Sequence, residues 1–276
     1  MQKHISEKRL EEYNDVLVDI FNNLLFKGNL ILHKDVLVPM PTESFARTSS
    51  GFHRQGNRDV RKVAAGGGSY RLICGYENQQ GRDNTMPLRI MGYDFSSYEE
   101  QVRLYIAENK KNKQPAFTKR LHDNQKLAPI VTVVLYWGRE EWKSPLCLYD
   151  MLKFPKGQAG QLLPYVANYP INLIPIAKLK QEDRDRLTSD FRLIAEYAAN
   201  WEDPKRLREV MQDEVQKIRH PEEFISALAE ITGSRNLQSV KTLLLKKEER
   251  EDVKSSRGVP IFCCLSFRIW APCLMI

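Results

Sequence analysis

Arg71-Leu72-Ile73-Cys74-Gly75-Tyr76-Glu77-Asn78-Gln79 is a mostly apolar run that ends abruptly in an acid and two amides. Side chains alternate along a strand, so Ile73, Gly75, Glu77 and Gln79 share one face and Leu72, Cys74, Tyr76 and Asn78 the other. This places Glu77 and Gln79 side by side at the polar end of a strand. Asp59 stands upstream in Asn57-Arg58-Asp59-Val60. An acid followed by an acid-x-amide at the tip of a second strand has the donor chemistry of a divalent-metal site. Mg²⁺ takes oxygen ligands, keeps several waters and is held by one or two carboxylates. The plainer reading makes Asp59 a turn or cap acid and Glu77-Asn78-Gln79 a polar strand end.

Outward from this stretch, Val60 to Val63 and Tyr70 to Gln79 flank Ala64-Ala65-Gly66-Gly67-Gly68-Ser69, which predicts a hairpin with a Gly-rich turn. The glycines lack the GK[ST] of a phosphate-binding loop, so they are turn chemistry. Cross-strand neighbours have Cβ atoms about 4.5–5.5 Å apart, so Asp59 and Glu77 come within reach of one ion. Residues 129–136 hold the strongest strand, a continuous β-branched run of the buried type. Tyr169 to Ile176 carries two prolines and reads as an edge strand, and Val36 to Met40 fits a strand edge or a loop. Met86 to about Lys110 is helical, with Pro87 tolerated in its first turn. On it Arg89, Tyr93 and Ser96 face one way and Ile90, Asp94, Ser97 and Gln101 form the adjacent stripe. Ser97-Tyr98-Glu99-Glu100 also matches a capping box, an alternative helix start.

Residues 7–26 are an amphipathic helix stopped by Gly28. Its polar stripe of Asp15, Asp19 and Asn22 is either a solvated face or aims one member at the metal site. Arg47 to Gly56, rich in Ser, Gly, Arg and His, reads as a mobile loop, with Glu43 just before it as a further candidate ligand. Arg47, Arg54 and Arg58, with His53, are candidate phosphate contacts. So are Lys110, Lys111 and Lys113, which open a basic segment reaching Lys126 with Phe117 and His122 interleaved. A solvated loop and a solvated linker are the competing readings.

The 276 residues carry 42 Lys plus Arg against 35 Asp plus Glu, a net +7 with pI near 9.1. Such a balance suits an anionic partner. At 42% hydrophobic residues the composition supports a substantial core and excludes a disordered chain. Five cysteines without a CxxC pair point to a reducing compartment, and the charged N-terminus has no signal-peptide core. A cytoplasmic protein is expected. Beyond Lys178 the pattern is helical, over 181–200, 204–218 and 221–232. From Gly258 the sequence turns apolar to Ile276, near the length of a membrane span, but Pro260, Pro272 and Arg268 oppose insertion. The competing origin is a lost reading frame near residue 256. The expected division is 1–178 as the main domain, 179–256 as a helical C-terminal region and 257–276 as an atypical tail.

Arg58-Asp59-Val60, Gly75-Tyr76-Glu77-Asn78-Gln79, Met86-Pro87-Leu88-Arg89 with Tyr93-Asp94, Tyr98 and Gln101, and Leu135-Tyr136-Trp137-Gly138 with Trp142 together resemble the recombination-promoting nuclease / putative transposase family. That family belongs to the PD-(D/E)XK nuclease superfamily. The resemblance runs from about residue 7 to residue 180. It implies an α/β, restriction-endonuclease-like core: a central mixed sheet containing 60–63, 70–79 and 129–136, flanked by helices 7–26 and 86–110, then a helical C-terminal region. It implies a Mg²⁺-dependent DNA endonuclease with Asp59 and Glu77 as metal ligands and Gln79 where most of the superfamily has lysine. Arg61 or Arg89 then supplies the positive charge, with Tyr93 and Gln101 as further supporting residues. DNA is the implied partner, no membrane is expected, and a homodimer is compatible. The alternative is an inactive DNA- or protein-binding relic of a mobile-element nuclease, which the foreign tail favours.

Overall fold

The computed structural model describes residues 10–41, 43–47, 53–57, 59–66, 69–112, 121–203, 205–207, 209–210 and 217–232. They form two compact units. One is Asp35–Ile174; the other joins the described residues up to Lys34 with those from Pro175 onward. The N-terminal helix therefore packs with the C-terminal helices, where the sequence placed it with the first 178 residues.

The Asp35–Ile174 unit contains the decisive stretch as the central strand of a mixed sheet. Its strands are β1 (Leu37–Pro39), β4 (Val60–Gly66), β5 (Ser69–Gln79), β6 (Ile130–Tyr136) and β7 (Asn172–Pro175), in the order β1-β4-β5-β6-β7. β1 and β4, and β4 and β5, pair antiparallel, whereas β5 and β6 pair parallel. A parallel neighbour demands a long crossover, and helix α2 (Met86–Lys111) occupies that connection. The two proline-bearing strands, β1 and β7, lie at the edges, where a missing N–H costs no ladder bond. The architecture is the expected α/β one, compatible with a restriction-endonuclease-like core.

The register opposes Val60 to Tyr76 and Arg61 to Gly75 across β4 and β5, and Glu77 to Val134 across β5 and β6. Arg61, Val63, Ile73, Gly75, Glu77, Gln79, Thr132 and Val134 consequently share one face. α2 lies on that face: Met86, Ile90 and Tyr93 pack with Val134 and Ile171, and Trp142, Tyr169 and Leu173 close around them. Polar pins reinforce this seat. Thr132 Oγ1 donates to Asp94 Oδ1 at 2.7 Å, and Tyr169 donates to the other Asp94 oxygen. Ser97 Oγ donates to Tyr93 O inside the helix at 3.0 Å, so its capping-box pattern marks no helix start.

Residues Arg47 and His53–Gly56, expected in a mobile loop, belong instead to a two-stranded sheet. β2 (Glu43–Arg47) and β3 (His53–Asn57) pair antiparallel, Glu43 opposite Asn57 and Arg47 opposite His53.

In the other unit α1 (Asn14–Asp19) continues as a π-helical turn, Ile20–Leu25, ended by Lys27 and Gly28 at φ 55° and 91°. The stripe of Asp15, Asp19 and Asn22 is no free solvated face: each side chain has partners within this unit. Asp19 is buried and accepts from the backbone N–H and hydroxyl of both Thr188 and Ser189 at 2.7–3.1 Å. Asn22 clamps the loop at Leu32, and Asp15 faces His220 and Arg219. By holding Thr188 and Ser189, Asp19 also breaks the helix expected over 181–200. It becomes α4 (Gln181–Asp185) and α5 (Phe191–Ala199), after the short α3 (Ala159–Leu162) of the sheet unit. α6 (Pro221–Thr232) has the expected bounds. Among the described residues no helix is long and apolar enough to cross a membrane. The tail 257–276 lies outside them.

Candidate active site

Asp59 sits in a bend immediately before β4 and extends that strand's pairing: its N–H donates to Tyr76 O at 3.2 Å. Its carboxylate then accepts from the backbone N–H of Asn78 at 2.7 Å, taking a place a ladder carbonyl would otherwise fill. Asp59 is thereby fixed against the polar end of β5, beside Glu77. Glu77 is buried, 4% exposed. Opposite, across the parallel ladder, Trp137 Nε1 donates to Asn78 Oδ1 at 2.8 Å, and the Trp137 N–H donates to Gln79 O at 2.9 Å. The Tyr136-Trp137-Gly138 segment thus anchors the strand end from its other side. The Gln79 carbonyl already serves the ladder and its side-chain Nε2 donates to Gly81 O at 2.8 Å, which leaves the second amide N–H for chemistry.

α2 supplies the charge. Arg89, in its first turn, donates through Nη2 to Glu77 Oε1 and, at 3.3 Å, to the Tyr93 hydroxyl. Through Nη1 it reaches Asp83 Oδ2 at 2.8 Å and Gln79 Oε1 at 3.5 Å. Burial alone would lower the Arg89 pKa, but Glu77, Asp83 and Tyr93 outweigh it and hold the guanidinium more firmly charged than usual. Burial, then the Glu77 charge, raises the Tyr93 phenol, which stays protonated at neutral pH. Burial would also raise Asp83, yet hydrogen bonds from Arg89 and Thr85 bring it below the ordinary carboxylate range. The thiol of Cys74, on the opposite face, is pushed up to about 12 by burial and is no nucleophile.

Asp83 is a site neighbour that sequence reasoning missed. Its Oδ1 accepts from both the N–H and the hydroxyl of Thr85 at 2.7 Å, an Asx-turn leading into α2. The Asp83-Asn84-Thr85 string before a helix carries that signal. Of the other expected supporting residues, Arg61 shares the sheet face but turns its guanidinium to Glu100, at 2.7 Å, and to the Pro41 carbonyl. Gln101 exchanges two bonds with the Ala128 backbone and braces α2 against the start of β6. Lys110 and Lys111 are exposed at the C-terminal end of α2. Arg47 and Arg54 lie on β2 and β3, with only their backbone described; Arg58 and Lys113 lie outside the described residues.

The donors fit a hard cation. Two carboxylates from neighbouring chain segments and an amide oxygen are held at one strand end, and one carboxylate already holds a cation, the Arg89 guanidinium. Among the described residues no three His, Cys, Asp or Glu side chains gather as a metal cluster. Two carboxylates with water completing the shell is the arrangement Mg²⁺ accepts most readily.

No curated protein and no solved structure matches the chain. The profile of one family matches residues 62–218, more than half of the sequence. That span includes Glu77, Gln79, Asp83, Arg89 and Tyr93, and it begins just after Asp59. The chain belongs to the family described as "Putative transposase, YhgA-like".

Proposed function

We propose that the protein is a Mg²⁺-dependent DNA endonuclease of the PD-(D/E)XK type, acting in the DNA processing associated with transposase-like proteins. One observation carries this reading: Asp59, held by the Asn78 N–H, and Glu77, held by Arg89 from α2, both stand at the polar end of β5, with Gln79 next along the strand face. A divalent ion held by those carboxylates would supply a Lewis acid and lower the pKa of its bound water. The protein's own part is positional and electrostatic. Asp59 is set by the Asn78 amide and Glu77 by strand and helix. Gln79 has no basic atom, so its amide orients the attacking water and does not deprotonate it. Arg89, with its side chain 35% exposed, can meet the charge that builds on a phosphate while the buried Glu77 cannot leave the site. Lys110 and Lys111 offer exposed cations for the DNA backbone farther along the same helix.

The test is nicking of supercoiled plasmid with Mg²⁺, with Ca²⁺ and with EDTA. Cleavage is expected with Mg²⁺ and not with EDTA; Asp59→Ala or Glu77→Ala abolishes it, and Gln79→Ala slows it less. Full activity in the Asp59→Ala/Glu77→Ala double variant rejects the site. Plasmid that is bound but never cut, under any metal, returns the chain to the alternative of an inactive DNA-binding relic.

A further inference from the structure

We infer that Arg89 is a built-in counter-cation for Glu77 which a divalent ion replaces, and that Asp83 is the anchor on which the guanidinium stays when it lets go. The inference rests on the metal reading above and adds an exchange within the protein to it.

The two ends of the Arg89 fork serve different acids. Nη2 takes Glu77, whose side chain is 5% exposed; Nη1 takes Asp83, 22% exposed, at 2.8 Å. A carboxylate as buried as Glu77 needs a positive neighbour at all times, because an uncompensated buried charge is costly. A divalent ion on Glu77 would place a second cation against the same oxygens, so the guanidinium and the ion compete. Arg89 holds Glu77 through one nitrogen alone, not through a bidentate fork, so a rotation can release it. Asp83 cannot follow the motion: Thr85 fixes its other oxygen with two bonds of 2.7 Å at the entrance to α2. Nη1 therefore remains tethered while Nη2 swings free. The freed N–H, on a side chain 35% exposed, is then available to an anionic phosphodiester. Ion binding and phosphate binding become coupled through one side chain, and Gln79 Oε1, 3.5 Å from Nη1, lies beside the pivot.

The experiment titrates the full-length protein with MgCl₂ by calorimetry, without DNA, and records thermal unfolding with and without the ion. Wild type is compared with Arg89→Met, Arg89→Lys, Asp83→Asn and Glu77→Ala. Losing the competitor should tighten Mg²⁺ binding about five- to tenfold in Arg89→Met, within the usual range of site-to-site coupling. The same variant should unfold at a lower temperature without ion, yet gain more from Mg²⁺ than wild type does. Arg89→Lys should restore part of the ion-free melting temperature. In Asp83→Asn the guanidinium keeps Glu77 as its one carboxylate partner, so Mg²⁺ should bind several-fold more weakly. Opposite shifts in the two variants are something a merely structural arginine would not give. Should Arg89→Met fail to fold, Asp83→Asn against wild type decides alone. If wild type binds Mg²⁺ in a Glu77-dependent way and the variants match it, the exchange is wrong and the metal site stands. If wild type and Glu77→Ala give the same null titration, the metal reading fails and the exchange with it.

Discussion

Arg61 and Glu100 should respond unequally to deletion, and that inequality separates a structural ion pair from a working cation. The Arg61 side chain is 2% exposed, and Nη1 reaches Glu100 at 2.7 Å and the Pro41 carbonyl at 3.3 Å. Its Nε and Nη2 have no hydrogen-bond partner among the described residues. Glu100→Ala strips a buried cation of its counter-charge. Such losses run to about 3–5 kcal/mol when both partners are buried. Glu100 is 30% exposed, so water already screens the pair, and we expect about 2–3 kcal/mol. Arg61→Met removes the cation itself. Glu100 then turns into water, the guanidinium's desolvation cost disappears, and the thioether fills much of the stem's volume. The net cost should stay below about 1 kcal/mol. Urea unfolding followed by circular dichroism, with an unchanged m-value, measures both. In the plasmid assay Arg61→Met should keep its nicking activity, because its guanidinium is turned away from Glu77. Equal costs for the two variants, or a nicking loss in Arg61→Met as deep as in Glu77→Ala, would refute the assignment of the site's charge to α2.

Two further outcomes rest on the buried acid Asp19 and on Asp83. Asp19→Ala should lose about 3–4 kcal/mol, since four donors from Thr188 and Ser189 lose a charged acceptor, and Asp19→Asn should lose less; equilibrium unfolding with the native m-value is the check. Asp83 titrates below its usual range in the folded state, so the stability it contributes is fully present above about pH 4 and is lost as pH falls through the lower folded value. Melting temperature recorded from pH 6 down to pH 2.5 should therefore fall less steeply at the acid end in Asp83→Asn; overlapping acid limbs would sink the claim.

Elements with one strong periodicity were legible from sequence. The β-branched run became β6, the 70–79 alternation became β5, and α2 and α6 have nearly the expected bounds. The alternation also put Glu77 and Gln79 on one face, and the helical stripe put Arg89 one turn from Tyr93. What failed was wherever a side chain bonds the backbone of a distant segment. Asp19 and Asn22 read as surface because polar residues on a helix usually are, yet each satisfies backbone donors far along the chain. The break at Thr188-Ser189-Asp190 carried a capping signature inside an otherwise unbroken amphipathic pattern, and the pattern masked it. Arg47 to Gly56 has little to bury in its sequence, so composition reads it as a loop; its described residues instead pair within β2 and β3 and lie against α2. From sequence Arg61, two residues from Asp59 on the same strand face, is as good a charge donor as Arg89 on the helix. Only the position of Glu100 on α2 decides between them.

On the proposed reading, the source of the positive charge separates this site from the superfamily pattern that the sequence resembles. A lysine at the Gln79 position would ride on β5, and the sheet on both sides of that strand would fix its cation relative to Glu77. Here Gln79 Nε2 donates to Gly81 O at 2.8 Å, and its oxygen faces Arg89. The charge comes instead from the first turn of α2, across the turn that holds Asp83. A helix-borne guanidinium seated between two acids can change partners, which a strand-borne ammonium with one acid cannot do. The orientation of α2 becomes part of the site's electrostatics. That gives the braces of this helix, Asp94 with Thr132 and Tyr169, and Gln101 with Ala128, a consequence beyond packing. On the proposed reading, loosening any of them should weaken the site's hold on its charge before it unfolds the protein.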